Sequence, residues 1–299
     1  MSEHVSIVMV PVDSSEEATA ATHHAALLAS LLDATLQLVH VLPLKPAELS
    51  DVPSNRDISD DHDRAQQDAK ASDAFQAARY QLAALPFTQS LTVEETRLHD
   101  DGFVSHPERV IVEHARQHQK TLLVMGARHL SEVGKWLKGS VSNAVVHRAR
   151  GPVTVIHADA GIIESARIGR ILLPVDGSSH SDVAAQLAGD LARSGHISVE
   201  MLFCQPPGSQ PLLDSGESEE QRVFRSTREA LGDVPAGVTE QLLQTEHCAE
   251  AIIQQAEKCP DSPVIVMGRR GLGYLQESLL GSVSQKVIEL APCPVTVVA

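Results

Sequence analysis

The sequence predicts an α/β protein of two tandem doubly wound domains, each a five-stranded parallel sheet flanked by about four helices. Three observations predict it. The chain has 299 residues, a length that suits about two domains of roughly 100–200 residues each. Short motifs from its first half return, in the same order, in its second. In both halves, apolar β-branched runs alternate with helical stretches, as they do when helices cover both faces of a parallel sheet.

The repeats are read directly. Val10-Pro11-Val12-Asp13 returns as Leu173-Pro174-Val175-Asp176, and Leu123-Val124-Met125-Gly126 returns as Ile265-Val266-Met267-Gly268. Gly139-Ser140-Val141-Ser142 returns as Gly281-Ser282-Val283-Ser284, and Pro152-Val153-Thr154-Val155 as Pro294-Val295-Thr296-Val297. A period this long indicates tandem domains and excludes a solenoid. The expected boundaries are 1–158 and 168–299, with the joint around 158–169.

In the first half, strands are expected near 5–12, 35–41, 90–96, 121–125 and 153–157, with helices near 15–32, 61–84, 107–118 and 140–149. The second half repeats the pattern, with strands near 170–175, 197–203, 238–243, 263–267 and 295–298. Capping boxes are expected from Ser14 to Glu17 and from Ser282 to Gln285. The proline-bearing segments 43–60 and 205–217 are expected to be mobile loops over one end of each sheet.

Composition removes several classes of function. With 24 basic and 39 acidic residues the formal charge is −15, which repels a phosphate backbone and argues against nucleic-acid binding. No apolar run reaches the roughly 18 residues of a membrane helix, and no signal peptide is visible, so a soluble cytoplasmic protein is expected. Cys204, Cys248, Cys259 and Cys293 form no C-x-x-C pair and read as free thiols. His114 and His118 sit one helical turn apart without a third ligand nearby in sequence, so a solvated helix face is preferred to a metal site.

The chemistry concentrates after the fourth strand of the second half. Gly268, Gly271 and Gly281-Ser282 form the spacing G-x2-G-x9-G-S. Glycines let backbone N–H groups approach a phosphate and take positive φ at little cost. Gly281-Ser282 opens a helix, whose free N–H groups and positive dipole end favour an anion. Asp176 ends the first strand of this half, so it and the glycine loop flank the switch point where open α/β sheets bind ligands. The competing reading is a tight turn and a clean helix start with no ligand.

Across both halves the chain resembles the universal stress protein (UspA-like) family, and its glycine loop resembles that of the ATP-binding subclass. The resemblance implies a Rossmann-like, adenine nucleotide alpha hydrolase-like fold. It implies adenine and ribose contacts from Val175, with Pro174 beside it, Asp176 and the backbone at Cys204, and, around Met267, phosphate contacts from Gly268, Gly271, Gly281, Ser282 and Val283. Arg270, in the loop, either supplies charge to the site or stands solvated. The cofactor implied is ATP, with Mg2+ bridging its phosphates. In the first half, Asp13, Val41, Gly126, Gly139, Ser140 and Val141 match the pattern, but His129 replaces the second glycine. A weakened site is therefore expected there.

No catalytic constellation is legible. Neither Gly-Ser pair carries the lysine of the Walker motif, and no nucleophile elbow occurs. At most a slow ATP hydrolase is expected. The leading reading is an ATP-binding stress-response protein that acts by regulation; the alternative is an interaction or small-molecule-binding module of the same fold. The apolar last strands, 153–156 and 295–298, are expected to be bare sheet edges, which need a cover. The resemblance implies that they pair with each other within the chain as a pseudo-dimer, since the family commonly dimerises through this strand. Homodimerisation of the whole chain is a further expectation.

Overall fold

The computed structural model describes residues 4–13, 15–43, 59–100, 106–118, 120–127, 141–158, 167–208, 216–271 and 280–299. The first repeat runs β1 (Ile7–Pro11), α1 (Glu16–Leu32), β2 (Thr35–Pro43), α2 (Ser59–Ala83), β3 (Val93–Asp100), α3 (Pro107–Gln117), β4 (Thr121–Ala127), α4 (Val141–Arg148) and β5 (Val153–His157). The second runs β6 (Arg170–Val175), α5 (Ser179–Gly195), β7 (Ser198–Gln205), α6 (Glu219–Leu231), β8 (Val238–Gln244), α7 (Cys248–Lys258), β9 (Pro263–Gly268), α8 (Ser282–Leu290) and β10 (Val295–Val298). Most of the two segments expected to be loops, and the joint at 159–166, lie outside the described residues.

The strands form one ten-stranded sheet in the order β3-β2-β1-β4-β5-β10-β9-β6-β7-β8. Every pairing inside a repeat is parallel. The repeats join through β5 and β10, which pair antiparallel with Thr154 opposite Thr296. The pseudo-dimer expected from the apolar last strands is therefore the observed arrangement. The edges left are β3 and β8, which carry Glu94, Glu95 and Arg97 and Glu240 respectively; charge of this kind discourages further strand addition.

Strand alternation assigns the two faces of the sheet. Val8, Val10, Ile171 and Leu173 turn toward α1, α2, α5 and α6, while Met9 and Leu172 turn toward α3, α4, α7 and α8. Each core therefore runs through both repeats without a break. The repeats also match in detail: His40 of β2 meets Phe75 of α2 edge-on, and Phe203 of β7 meets Phe224 of α6 in the same way.

Both expected capping boxes are corrected. Ser14 lies outside the described residues, and the N-cap of α1 is Ser15, whose hydroxyl accepts the Ala18 N–H at 3.1 Å. The cause is Asp13, whose Oδ1 accepts both the Ser15 N–H at 2.8 Å and its hydroxyl at 2.5 Å, fixing Ser15 in the extended cap conformation. Ser178 caps α5 in the same way beneath Asp176. For α8 the N-cap is Gly281, so Ser282 is already inside the first turn and cannot cap it. A capping box does occur at Ser218 and Gln221 of α6. His114 and His118 are half-buried, with rings stacked edge-on at 4.7 Å, and so do not form a fully solvated face.

Two predictions follow from the buried junction. Thr154 and Thr296 share a buried hydrogen bond at 2.7 Å. Thr154→Val or Thr296→Val alone should cost about 1–3 kcal/mol, because each leaves the other hydroxyl unpaired, while the double variant should cost less than the sum. Chemical denaturation of the four proteins measures this. His24, on α1, is fully buried with its Nδ1 unpartnered, and burial pushes its pKa down from 6.5 to about 4. The folded state thus resists protonation, so stability is full above pH 6.5 and is lost as pH falls toward 4. His24→Leu should flatten that pH dependence by up to about 3 kcal/mol at pH 4, read from thermal melts across the range.

Candidate functional site

The topology places the carboxyl ends of β6 and β9 side by side, while β7 leaves on one side of them and β10 on the other. A cavity of about 360 Å³ opens at this switch point, within the usual range of about 300–1,000 Å³ for small-molecule sites. All the second-repeat residues singled out from the sequence line it. Pro174, Val175 and Asp176 come from the end of β6, and Cys204 from the end of β7. Met267, Gly268, Arg270 and Gly271 come from β9 and the turn after it, and Gly281, Ser282 and Val283 from the start of α8.

One side of the cavity is apolar. Val175, Leu202 and Met267 are buried there, and Ile252 of α7 closes the wall. The Cys204 thiol is pushed up to about 12 by burial and by its neighbour Cys248, so it sits there as a neutral group. The other side is polar. Asp176 Oδ1 accepts the Ser178 N–H at 3.0 Å. Burial, with a further contribution from Asp176, raises the pKa of Asp182 in the first turn of α5. At the far end the first turn of α8 presents its N–H groups, which have no intrahelical acceptor.

The helix start is tied to the strand behind it. The carbonyl of Arg269 accepts the Gly281 N–H at 3.0 Å and the Ser284 hydroxyl at 2.6 Å. These bonds hold Gly281 in its extended cap conformation, with ψ 151°. Ser284 is buried, its hydroxyl on the carbonyls of Arg269 and Gly281, and Ser282 is left exposed on the cavity rim.

The expected positive φ is not found at the loop glycines. None of Gly268, Gly271 and Gly281 has a positive φ; Gly177, just after Asp176, does, at 78°. What the loop needs is room. A Cβ on Gly268 would press on the backbone of His180 and of Arg270, and one on Gly271 would meet the Asp176 carboxylate. Gly126, which matches Gly268, is closed in the same way by the Glu17 backbone of α1.

The first repeat gives a partial picture. Asp13 follows β1 and is turned onto Ser15, while Val41 lies half-buried on β2 and Val141 is exposed at the start of α4. His40 Nδ1 donates to the Val12 carbonyl at 2.7 Å, closing the end of β1. Gly139, Ser140 and His129 lie outside the described residues.

Sequence reasoning missed Leu202, Cys248, Ile252 and Ser181 on the cavity walls. Periodicity could have shown that these positions are buried, though not that they converge. It also missed Arg269, the neighbour of Arg270, which is 5% exposed. The signal was present, since Arg269 stands where the first repeat has Ala127.

Comparison with known proteins was made against this geometry. The universal stress protein family profile matches residues 4–157 and again 167–299. A universal stress protein of Mycolicibacterium smegmatis is 30% identical over 298 residues, covering 97% of this chain and 96% of that protein. A crystal structure of a universal stress protein from Archaeoglobus fulgidus superposes with a TM-score of 0.69 at 20% identity, covering 98% of this chain and 97% of that one. A universal stress protein crystallised in complex with cAMP matches 52% of this chain and 99% of its own, at 22% identity and a TM-score of 0.39. Among the described residues, no helix is long and apolar enough to cross a membrane.

The packing around the glycines predicts an order of cost. Gly268→Ala should destabilise by about 1–3 kcal/mol, because backbone has to move. Gly271→Ala should cost under about 1 kcal/mol, because only the tip of Asp176 has to turn. Urea denaturation midpoints and slopes check the order.

Proposed function

The chain belongs to the universal stress protein family as a tandem of two such domains, and from that premise we propose that its second repeat binds an adenine nucleotide, ATP with Mg2+ on its phosphates, as a regulatory ligand. The single observation that carries this reading is the convergence of residues scattered from 174 to 283 on one cavity at the switch point. In that cavity Val175, Leu202, Met267 and Ile252 suit the faces of a purine, and Asp176 suits a ribose hydroxyl. The open N–H groups and positive dipole end of α8 suit the phosphates, which the rims at Gly271 and Gly281 leave room to approach.

Among the described residues, no group of three or more His, Cys, Asp and Glu could hold a metal ion. The cation would therefore arrive with the triphosphate and be held by it. The residues of the site would bind and orient the ligand. Occupancy would act by stiffening the turn between β9 and α8, which also touches the first repeat through Arg269. That gives a route from ligand to overall conformation, which is how a binding protein of the stress response would pass on its state.

Titration calorimetry with ATP and magnesium tests this. The wild type should bind one ATP per chain. Gly281→Asp should lose about tenfold or more in affinity while staying folded, since aspartate is a good N-cap but sets a negative charge against the phosphates. Two sites per chain would show that the first repeat also binds. No heat with the wild type would sink the reading in favour of an interaction module.

A further inference from the structure

Six arginines line one groove between the repeats, which has a volume of about 1,000 Å³. Arg109 and Arg116 come from α3, Arg148 and Arg150 from the end of α4 and the turn after it, and Arg269 and Arg270 from the turn after β9. The whole chain has only 24 basic residues against 39 acidic ones, so this concentration of cations runs against its overall charge.

Some of that charge is balanced. Glu113 lies 3.6 Å from Arg116, and Glu108 lies 3.4 Å from Arg148. Among the described residues, no carboxylate lies within ion-pair range of Arg109, Arg150 or Arg269. Arg269 is the telling one. It is 5% exposed, and its Nη1 donates to the Ala149 carbonyl at 2.5 Å, across the junction. Its Nε and Nη2 are buried without any partner. A buried cation lacking its counter-charge costs several kcal/mol in proteins. The Arg269 guanidinium is pulled down to about 10, first by its own burial and then by Arg270. His147 on the same wall is lowered by burial and by Arg269.

We propose that this groove is a binding site for a short phosphate-bearing polyanion, of the pyrophosphate or tripolyphosphate class, seated across both repeats and distinct from the nucleotide cavity. A guanidinium fork takes two oxygens of one anion, and a polyphosphate has the charge and oxygens to engage several of the six arginines at once, which a lone carboxylate lacks. The net charge of −15 and the size of the groove favour a short ligand, since a nucleic acid would be repelled by the rest of the surface. Its charge would relieve Arg269 and the repulsion among its neighbours, and its two ends would tie α3 and α4 of the first repeat to the turn after β9 of the second. Arg270 borders both this groove and the nucleotide cavity. The same phosphates could thus be the tail of a bound nucleotide, and the test separates the two sources.

The probe is sodium tripolyphosphate, titrated calorimetrically into the full chain at low salt. The wild type should bind it, and Gly281→Asp should bind it as well as the wild type. Arg109→Gln with Arg150→Gln should bind about tenfold or more weakly, while keeping its melting temperature, as both side chains are exposed, and its affinity for ATP. No heat with the wild type, or an unchanged affinity in the double variant, would overturn the proposal. Loss of tripolyphosphate binding in Gly281→Asp would also overturn it, by placing the anion in the nucleotide cavity. The ATP titration is independent, so failure of nucleotide binding would leave the outcome for the groove readable.

Discussion

The antiparallel pairing of β5 with β10 is the contact on which the rest of the molecule depends. Each repeat by itself is a parallel sheet ending in a fully buried apolar strand, Val153–His157 or Val295–Val298. Left bare, such a strand would offer its unpaired backbone to any chain. Two copies of one sheet that meet through the same edge must meet antiparallel, because the operation relating them is a two-fold rotation. Thr154 opposite Thr296 lies at the centre of that relation. Once the strands are joined, the cores on both faces become continuous and α1 packs beside α5. The helix ends then come within reach of the opposite repeat. His157 Nε2 donates to the Ile288 carbonyl of α8 at 2.8 Å, and Arg269 donates to the Ala149 carbonyl beyond α4. Both bonds satisfy carbonyls near the C-terminus of a helix, which its own backbone leaves open.

The duplication is close in the scaffold and loose at the binding ends. Asp13 and Asp176 each accept the N–H of the serine that caps the following helix, and Gly126 and Gly268 are both closed in by the helix that follows the first strand of their repeat. The differences lie where a ligand would sit. Gly271 is matched by His129 and Arg269 by Ala127. In the second repeat the space beside Asp176 leaves no room for even one more carbon on Gly271 without turning the carboxylate. A histidine demands far more than that. The two copies thus share the interactions that fold them while differing in the side chains that would select a ligand.

Much of this was legible because the chain states its pattern twice. A strand is hard to tell from a short buried helix by composition, but Val153-Thr154-Val155 and Val295-Thr296-Val297 support each other. The same repetition located the glycine loop, and one cavity gathers every second-repeat residue named from it. What stayed hidden depends on distances no spacing encodes. The capping serine of α1 is shifted by one position because Asp13 claims Ser15. The loop glycines are there for room and not for left-handed backbone, which shows only once His180 and Asp176 are in place. Arg269 reads as one more charged loop residue until β9 is seen to carry it under the first repeat.

Arg269 also explains why the two repeats need not act separately. Its backbone carbonyl holds Gly281 and Ser284, and so sets the first turn of α8 that faces the cavity at the switch point. Its side chain reaches Ala149 and lines the arginine groove. On the two proposals made above, a ligand that draws the guanidinium outward would pull on the residue whose carbonyl holds the helix start. Any ligand that fixes that helix start limits where the guanidinium can go. Coupling of this kind must be reciprocal, since each ligand changes the other's affinity by the same factor. It rests on both repeats, because the carbonyl that anchors the arginine belongs to the first and the helix it steadies belongs to the second.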